Sequence, residues 1–311
     1  MNDLEQFNPP AGKAEMLGAN VQRILANNPS PMTFRGTNTY LIGSKGLGLI
    51  DPGPDDTAHL NAILAALGPN QHISHIFVTH SHVDHSPLAG RLSQITGAKI
   101  YAFGDSQSGR SPVMQALAAS GLSGGGEGVD HGFAPDICLQ DKDRVQGDGW
   151  ALTALHTPGH FGNHMCFALD DTLFCGDLVM GWASSLVSPP DGDLTAFMAS
   201  CARLQRQSWQ VFHAGHGAPI EQPNARLKWL IAHRKTREAD ILATLAKGPA
   251  SARQLAKEIY TETPTALLTA AERNVFAHLV DLTQKEQIRP MPQLAQDALF
   301  QLCEEQKVFG Q

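Results

Sequence analysis

Three imidazoles and one carboxylate stand within six residues of this chain, in the run Thr79-His80-Ser81-His82-Val83-Asp84-His85. The run follows directly on the β-branched apolar segment 73–78, which predicts a strand. Imidazole and carboxylate are groups that zinc, iron and manganese accept as ligands. Because four such groups so close together can hardly all reach a single ion, the motif predicts two adjacent ions. The alternative is a His-rich surface loop.

Three later segments each place a further possible ligand at the end of a predicted strand or turn. They are Thr157-Pro158-Gly159-His160, Cys175-Gly176-Asp177 and Gly215-His216-Gly217. Each segment is a weak signal alone. Their order and their shared position at strand ends indicate that they contribute to one site with the first motif.

The first two thirds of the chain alternate between predicted strands and predicted helices, which is typical of an α/β fold. Strands are predicted at 38–42, 46–50, 73–78, 99–103, 151–156, 165–169, 172–175 and 210–213. Helices are predicted at 57–67, 112–119 and 194–205. The rest of 104–136 is rich in Gly and Ser and is predicted to be a long loop, a kind of segment that often carries function.

The last third of the chain has a different pattern. A long helix predicted at 223–247 stops at Gly248-Pro249, and Ser251 with Gln254 forms a capping box ahead of the next helix. Apolar residues at helical spacing within 264–284, followed by a strand at 285–289, complete three helices with short connections. This order predicts a winged helix and a domain boundary near residue 224.

Charge and composition exclude several classes of protein. The net charge is −7, and residues 1–224 carry 11 Lys and Arg against 20 Asp and Glu, which argues against broad electrostatic adhesion to nucleic acid. No apolar run approaches the roughly 18–20 residues of a membrane helix, and the N-terminus lacks the pattern of a signal peptide. The five cysteines include no Cys-x-x-Cys pair. These features predict a cytoplasmic protein that does not bind membranes.

The seven candidate ligands, taken in order, resemble the metal-binding motif of the metallo-β-lactamase superfamily. They are His80, His82, Asp84, His85, His160, Asp177 and His216. The resemblance covers residues from about 20 to 224 and implies an αββα sandwich with the metals at one edge. It implies that His80, His82 and His160 bind a first ion. It also implies that Asp84, His85 and His216 bind a second ion, with Asp177 bridging both.

Other segments are similar to the lactamase-beta-2-like branch of that superfamily, which carries a C-terminal winged helix. They include Gly36-Thr37-Asn38-Thr39-Tyr40-Leu41 and His164-Met165. The resemblance then implies a hydrolase domain at 1–224 and a small helical winged-helix domain at 225–311. One departure is Phe161, where the branch usually has threonine. In the superfamily the aspartate at Asp51 supports the ligand loop; a plain turn aspartate is the alternative.

The ligand set predicts a hydrolase with two divalent ions, zinc first and iron or manganese as alternatives. Two ions about 3.5–4 Å apart can hold a bridging hydroxide that attacks a carbonyl carbon or a phosphorus. Asp84 and Asp177 are the predicted catalytic carboxylates, and Asp84 could also transfer a proton. By resemblance the substrate is a phosphodiester in single-stranded RNA. The alternatives are a thioester or lactone, as in glyoxalase II-like relatives, and a non-catalytic module that binds nucleic acid or protein.

Several residues near these motifs have two interpretations. His164 could orient substrate or a ligand, or it could be an ordinary structural histidine. Arg234 and Arg237 are expected on a solvated helix face, with substrate-anion binding as the alternative. The predicted helix at 264–284 offers Arg273 as its one basic residue, so sequence-specific DNA binding is not expected. A cap over the active-site groove is the predicted role of the second domain.

Overall fold

The computed structural model describes residues 7–18, 20–264 and 267–303. Its first sheet has seven strands in the sequential order β1 to β7, antiparallel from β1 to β4 and parallel from β4 to β7. Those strands are Ala14–Gly18, Val21–Leu25, Asn38–Ile42, Gly46–Ile50, His72–Phe77, Lys99–Ala102 and Ile137–Cys138.

The second sheet has five strands in the order β12-β11-β10-β9-β8, of which only β11 and β12 run parallel. From β8 to β12 they are Arg144–Gln146, Ala151–His156, Met165–Leu169, Thr172–Gly176 and Val211–Ala214. In the described part of the chain, five helices accompany the two sheets. From α1 to α5 they are Thr57–Ala65, Leu88–Thr96, Pro112–Ala119, Leu194–Leu204 and Pro223–Leu245.

Apolar side chains fill three successive layers, which gives the αββα arrangement. Phe77 and Tyr40 of the first sheet meet Phe167 and Phe174 of the second in a core between the sheets. Helices α1 and α2 pack on the outer face of the first sheet, while α4 and the start of α5 pack on the outer face of the second. The expected αββα sandwich is confirmed.

The C-terminal region folds as the expected winged helix. Helices α6 (Ala252–Ile259) and α7 (Leu268–Gln284) pack with a three-stranded sheet in the order β13-β15-β14. In chain order, from β13 to β15, those strands are Ala250–Ser251, Ile288–Met291 and Leu299–Leu302. Both hydrogen bonds of the capping box at Ser251 and Gln254 are present.

Helix α5 connects the two regions through both of its halves. Leu227 and Leu230 near its start belong to the core of the second sheet, whereas Ile241 and Leu245 near its end belong to the winged-helix core. Helix α3, from the long loop of the first region, also packs into the winged-helix core. The predicted boundary near residue 224 falls at the beginning of α5, and it stays a prediction.

Most predicted strands and helices agree with the structure, and the differences are local. Strands 38–42, 46–50, 151–156 and 165–169 and helix 112–119 are confirmed residue for residue. Strands β1 and β2 and helix α2 were not predicted, and the predicted strand 285–289 lies instead at Ile288–Met291. None of the described helices has the length and apolarity to cross a membrane.

Candidate metal centre

The histidine motif lies in a buried loop between β5 and α2. His80, His82, Asp84 and His85 are each at most 5% exposed, although all carry polar side chains. Backbone hydrogen bonds hold this loop from two sides: Met165 donates to Thr79, and Val83 donates to Gly128. The motif is therefore not a surface loop, because its imidazoles point into the protein at the ends of both sheets.

Three imidazoles converge on the first of two adjacent points. The Nε2 of His80 lies 2.9 Å from the Nδ1 of His82, and the Nε2 of His160 lies 3.1 Å from the same atom. Ligand atoms of these three residues all lie within 4.8 Å of one another. His160 reaches this point from the turn after β9, so the structure brings together residues that are 78 positions apart.

A second group forms beside the first and contains two carboxylates. The Nε2 of His216 lies 3.2 Å from Asp84 Oδ2 and 3.2 Å from Asp177 Oδ2. The Nε2 of His85 lies 3.3 Å from Asp84 Oδ2 and 3.5 Å from Asp177 Oδ1. Asp177 Oδ2 also lies 3.7 Å from the Nε2 of His160, so this carboxylate stands between the two groups.

Two glycines allow the ligand loops to approach each other this closely. A Cβ on Gly215 would lie 2.3 Å from Asp177 Oδ1 and 2.7 Å from His85 Cε1. A Cβ on Gly176, whose φ is +46°, would lie 2.7 Å from the Nε2 of His164. Gly215, which precedes His216, is thus required by space, and Gly176, which precedes Asp177, is required by space and by its positive φ.

Four of the imidazoles are oriented by an acceptor on the side away from the cluster. The Nδ1 atoms of His80, His85, His160 and His216 face Thr79 Oγ1, Asp51 Oδ2, Leu186 O and Gly36 O, respectively. The carbonyl and carboxylate oxygens only accept, and the Thr79 hydroxyl donates to Asp51. Each Nδ1 therefore carries the proton, which leaves the Nε2 lone pair for the cluster. Histidine ligands of metals are typically held in this way.

The surroundings divide the titratable groups into two sets. Burial lowers the pKa of His82 to about 3 and also lowers the pKa of His160. Burial also acts against His216, but the Asp177 and Asp84 carboxylates outweigh it and raise that pKa to about 10. Burial would raise the pKa of Asp177, but His216 and His85 outweigh it and hold that pKa well below its usual range. The first group thus has neutral imidazoles, whereas in the second group a protonated His216 pairs with ionised carboxylates. A cation that binds the second group would displace the proton on the Nε2 of His216.

The atoms of the cluster fit divalent cations better than they fit one another. Within the described chain, neither His85 Nε2 nor Asp177 Oδ1 has a hydrogen-bond partner, although both atoms are buried. Buried polar atoms usually have partners. The Nε2 atoms of His80 and His160 both face His82 Nδ1, which carries at most one proton and can donate it to only one of them. A donor set of imidazole nitrogens and carboxylate oxygens suits zinc, iron or manganese.

Asp51 lies beneath the ligand loop and is 2% exposed. Its carboxylate accepts hydrogen bonds from the backbone N–H and the hydroxyl of Thr79 and from the Nδ1 of His85, each at 2.8 Å. Its backbone has a φ of +52°, which is uncommon outside glycine. These contacts are more than a plain turn aspartate would make.

His164 contacts the cluster from below, a role that the sequence left open. Its Nε2 accepts a hydrogen bond from the backbone N–H of Asp177 at 3.2 Å, and its Nδ1 lies 3.0 Å from Thr157 Oγ1. Asn163 next to it donates to Ser81 Oγ and to two backbone carbonyls. Phe161 is fully buried with its ring centroid 4.9 Å from that of His82, so it packs where a hydroxyl was expected. The adjacent Asn-His pair after the Pro-Gly-His turn was the available signal.

Arg234 does not lie on a solvated helix face as expected. It is 2% exposed, and it donates to Ser185 O and to Asn274 Oδ1. Arg237 is partly exposed and pairs with Asp240 at 3.1 Å. Helix α5 lies between two cores, so the face that carries Arg234 is covered by the winged-helix region. The solvated-face expectation is therefore wrong for Arg234.

A cavity of about 210 Å³ opens over the cluster, between the sandwich and the winged helix. From the sandwich it is lined by Pro31, Met32, Met180, Trp182 and Leu186, together with five of the candidate ligands: His82, Asp84, His160, Asp177 and His216. From the C-terminal region it is lined by Tyr260, Leu267, Ala270, Ala271 and Asn274. None of the described residues that line it is a lysine or an arginine, and Glu127 adds an acidic group.

A family model for the metallo-β-lactamase superfamily matches residues 32–216, which is more than half of the chain. This chain belongs to the metallo-β-lactamase superfamily. A second model, for the β-lactamase-associated winged helix domain, matches residues 251–291. The resemblance drawn from the ligand motif is confirmed, and so is the winged helix. The protein is accordingly a hydrolase of a fold that binds divalent metals through a His/Asp cluster.

Several known proteins are similar to this chain. It is 31% identical over 300 residues to a β-lactamase-like protein 2 homolog of Drosophila melanogaster, covering 88% of this chain and 91% of that protein. It is 31% identical over 247 residues to an atrochrysone carboxyl ACP thioesterase of Passalora fulva, covering 76% of this chain and 65% of that protein. A β-lactamase domain protein of Burkholderia ambifaria shares the fold, with a TM-score of 0.79 at 20% identity, covering 96% of this chain and 98% of that protein.

Proposed function

We propose that the cluster binds two divalent ions, zinc in the first instance, and that the protein hydrolyses acyl thioesters or lactones. His80, His82 and His160 would hold one ion, and Asp84, His85 and His216 the other, with Asp177 shared. The distances between the ligand atoms support this division; these atoms are His82 Nδ1, the Nε2 atoms of the other histidines and the carboxylate oxygens. When bound, such ions supply a water nucleophile at neutral pH and stabilise charge on the substrate oxygen.

The chain's own groups hold the reacting atoms in place. Leu186 O and Gly36 O orient His160 and His216 through their Nδ1 atoms, so neither ring can turn away from the cluster. Thr37 Oγ1 donates to Asp84 Oδ2 at 3.2 Å, which fixes that carboxylate at the floor of the cavity. We propose Asp84 and Asp177, which both line the cavity, as the catalytic carboxylates: Asp84 can accept a proton during hydrolysis, and Asp177 would hold both ions.

The residues that line the cavity favour an acyl substrate over RNA. Phosphate groups of RNA are usually bound by Lys and Arg, whereas the described cavity wall has neither and has an added acidic residue. Met32, Trp182, Leu186 and Leu267 instead offer apolar surface, which stabilises an acyl chain by excluding water from it. Similarity to ACP thioesterases is consistent with this substrate class.

The RNA hypothesis depends on the winged helix, a module that often binds nucleic acid. Its one basic residue on α7, Arg273, donates to Ser123 O at 2.8 Å and to Ser188 Oγ at 3.2 Å. That side chain is thus engaged within the protein. These contacts favour a capping role for the domain, and they agree with the expectation that it does not read DNA sequence.

A direct comparison of substrates tests the proposal. Metal-loaded protein is assayed on a hydroxyacyl-glutathione thioester, on acyl thioesters of N-acetylcysteamine and on labelled single-stranded RNA. We expect thioester hydrolysis that is lost in Asp177→Ala and retained in Asp171→Ala, an exposed aspartate on the turn before β11. Cleavage of RNA with no thioester hydrolysis would overturn the acyl assignment, and full activity of Asp177→Ala would overturn the site.

A further inference from the structure

A short peptide segment lies between His160 of the metal cluster and helix α7 of the winged helix. It comprises residues 185–187, and its central carbonyl, Leu186 O, lies 2.7 Å from the Nδ1 of His160. This contact sets both the tautomer and the direction of the His160 ring. Any shift of the segment would therefore move the Nε2 that faces His82.

A side chain of the winged helix forms a hydrogen bond with the same segment. Asn274 on α7 accepts a hydrogen bond at its Oδ1 from the backbone N–H of Val187 at 3.1 Å. That oxygen also accepts from Arg234 Nη1 at 3.0 Å, and Arg234 Nη2 donates to Ser185 O on the other side of the segment. Asn274 and Arg234 thus fix the peptides on either side of the carbonyl that orients His160.

The buried position of Arg234 costs free energy, which its hydrogen bonds to the segment offset in part. Arg234 is 2% exposed, and it pairs with no carboxylate among the residues that the structure describes. Burial lowers its pKa, and the ring of Phe197 lies 5.2 Å from its Cζ. A buried cation without an ionic partner is costly, and arginine does not become neutral to avoid that cost. Its planar fork does, however, hold a carbonyl and an amide oxygen in fixed directions.

We propose that Asn274 and Arg234 are positioning residues through which the winged helix fixes the His160 ligand. The proposal rests on the assignment of His160 as a ligand under the proposed function. It makes the C-terminal domain part of the metal centre, without any contact between that domain and an ion. Affinity at the site of His80, His82 and His160 should then depend on α7 more than affinity at the other site does.

Two variants at one position separate positioning from simple stability. Asn274→Ala removes the acceptor for Val187 and Arg234, whereas Asn274→Asp keeps an oxygen in its place. Asn224→Ala is the matched control, because Asn224 on α5 also accepts a backbone N–H, that of Trp209 at 3.2 Å, away from the cluster. Metal affinity is measured by competition with a chromophoric chelator, beside the unfolding transition of the metal-free protein.

We expect Asn274→Ala to weaken one of the two zinc sites by about 10–100-fold, the usual effect of losing a group that orients a ligand. Asn274→Asp should restore the affinity, and Asn224→Ala should leave it unchanged. Unchanged affinity in Asn274→Ala, while His160→Ala weakens binding, would overturn this proposal alone. Equal losses in Asn274→Ala and Asn224→Ala would also overturn it. Unchanged affinity in His160→Ala would overturn the ligand assignment and this proposal together.

Discussion

The imidazole of His164 holds the backbone of Asp177 in place: its Nε2 accepts a hydrogen bond from the backbone N–H of Asp177 at 3.2 Å. The other ring nitrogen faces the Thr157 hydroxyl at 3.0 Å, so the ring is held at both ends. Both residues are buried, and a Cβ on the intervening Gly176 would collide with the ring. The carboxylate shared by the two halves of the cluster is thus positioned by a histidine that is not itself in either group.

Replacing His164 by Phe should therefore weaken the cluster. The substitution keeps a ring but leaves the Asp177 N–H without its acceptor, at a cost of about 1–3 kcal/mol in unfolding free energy. We expect metal affinity to fall about 10–100-fold. Chelator competition measures the affinity, and denaturant unfolding measures the stability. Wild-type metal affinity in His164→Phe would show that the contact has only a structural role.

Asp51→Asn tests the support of the second group. The amide oxygen of asparagine can replace one carboxylate oxygen of Asp51. Its NH2 takes the place of the other oxygen and then faces a second donor, either the backbone N–H of Thr79 or the Nδ1–H of His85. The His85 ring should lose its preferred tautomer, and binding of the second zinc should weaken about 10–100-fold. Asp55→Asn is the control, since Asp55 pairs with Arg91 on the surface. Two ions bound with equal affinity in both variants would contradict the role of Asp51.

Ala270→Leu tests the cavity as an acyl site. The added side chain on α7 fills space next to Leu267, so the longest acyl chains should lose at least about tenfold in kcat/KM while acetyl thioester hydrolysis is retained. Thr269→Leu, on the exposed face of the same helix, should leave the chain-length profile unchanged. Rates are measured across a series of N-acetylcysteamine thioesters. A uniform loss across all lengths would contradict an acyl chain lying along α7.

His278 should make stability depend on pH. It is 1% exposed, neither of its ring nitrogens has a hydrogen-bond partner in the described ranges, and burial with nearby Arg234 holds its pKa well below 6.5. In the unfolded chain His278 binds a proton near pH 6.5, whereas in the folded chain it stays neutral until a lower pH. The free energy of unfolding therefore falls as the pH drops from 6.5 towards the pKa of His278 in the folded chain. The slope is about 1.4 kcal/mol per pH unit for one proton.

The matched variants His278→Leu and His72→Leu measure that contribution. Removing His278 should flatten the fall in unfolding free energy below pH 6.5 by up to one proton, whereas removing the exposed His72 should not. Denaturant unfolding between pH 7 and pH 5 gives both slopes. An unchanged slope in His278→Leu would mean that the folded protein accommodates the charged ring.

The residues of the cluster could be predicted because their signal is local. Each follows a strand within a few residues, and the ends of neighbouring strands meet at one edge of a sheet. His164 could not be assigned in the same way, because its partner Asp177 is 13 residues away in another loop. The Asn-His pair after the Pro-Gly-His turn marks the position of His164, but no spacing pattern shows that this histidine accepts a backbone N–H.

The position of Arg234 depended on packing that no local pattern records. Helix α5 has polar residues on the face that the second domain covers. From the sequence alone, such a face is predicted to be exposed to solvent. Helix α3 likewise lies in a loop of the sandwich yet packs into the winged-helix core. Strand β1 was missed because it is an edge strand with mostly exposed residues, which lack the alternation of a half-buried strand.

Titration of the metal-free protein with zinc, followed by thioester hydrolysis at each step, tests the central claim most directly. We predict that the rate rises until two equivalents are bound and then stays constant, and that elemental analysis finds two ions per chain. Asp177→Ala should remain inactive at every ratio. Hydrolysis at the full rate without added metal, or a rate that no longer rises after one equivalent, would contradict a dinuclear centre.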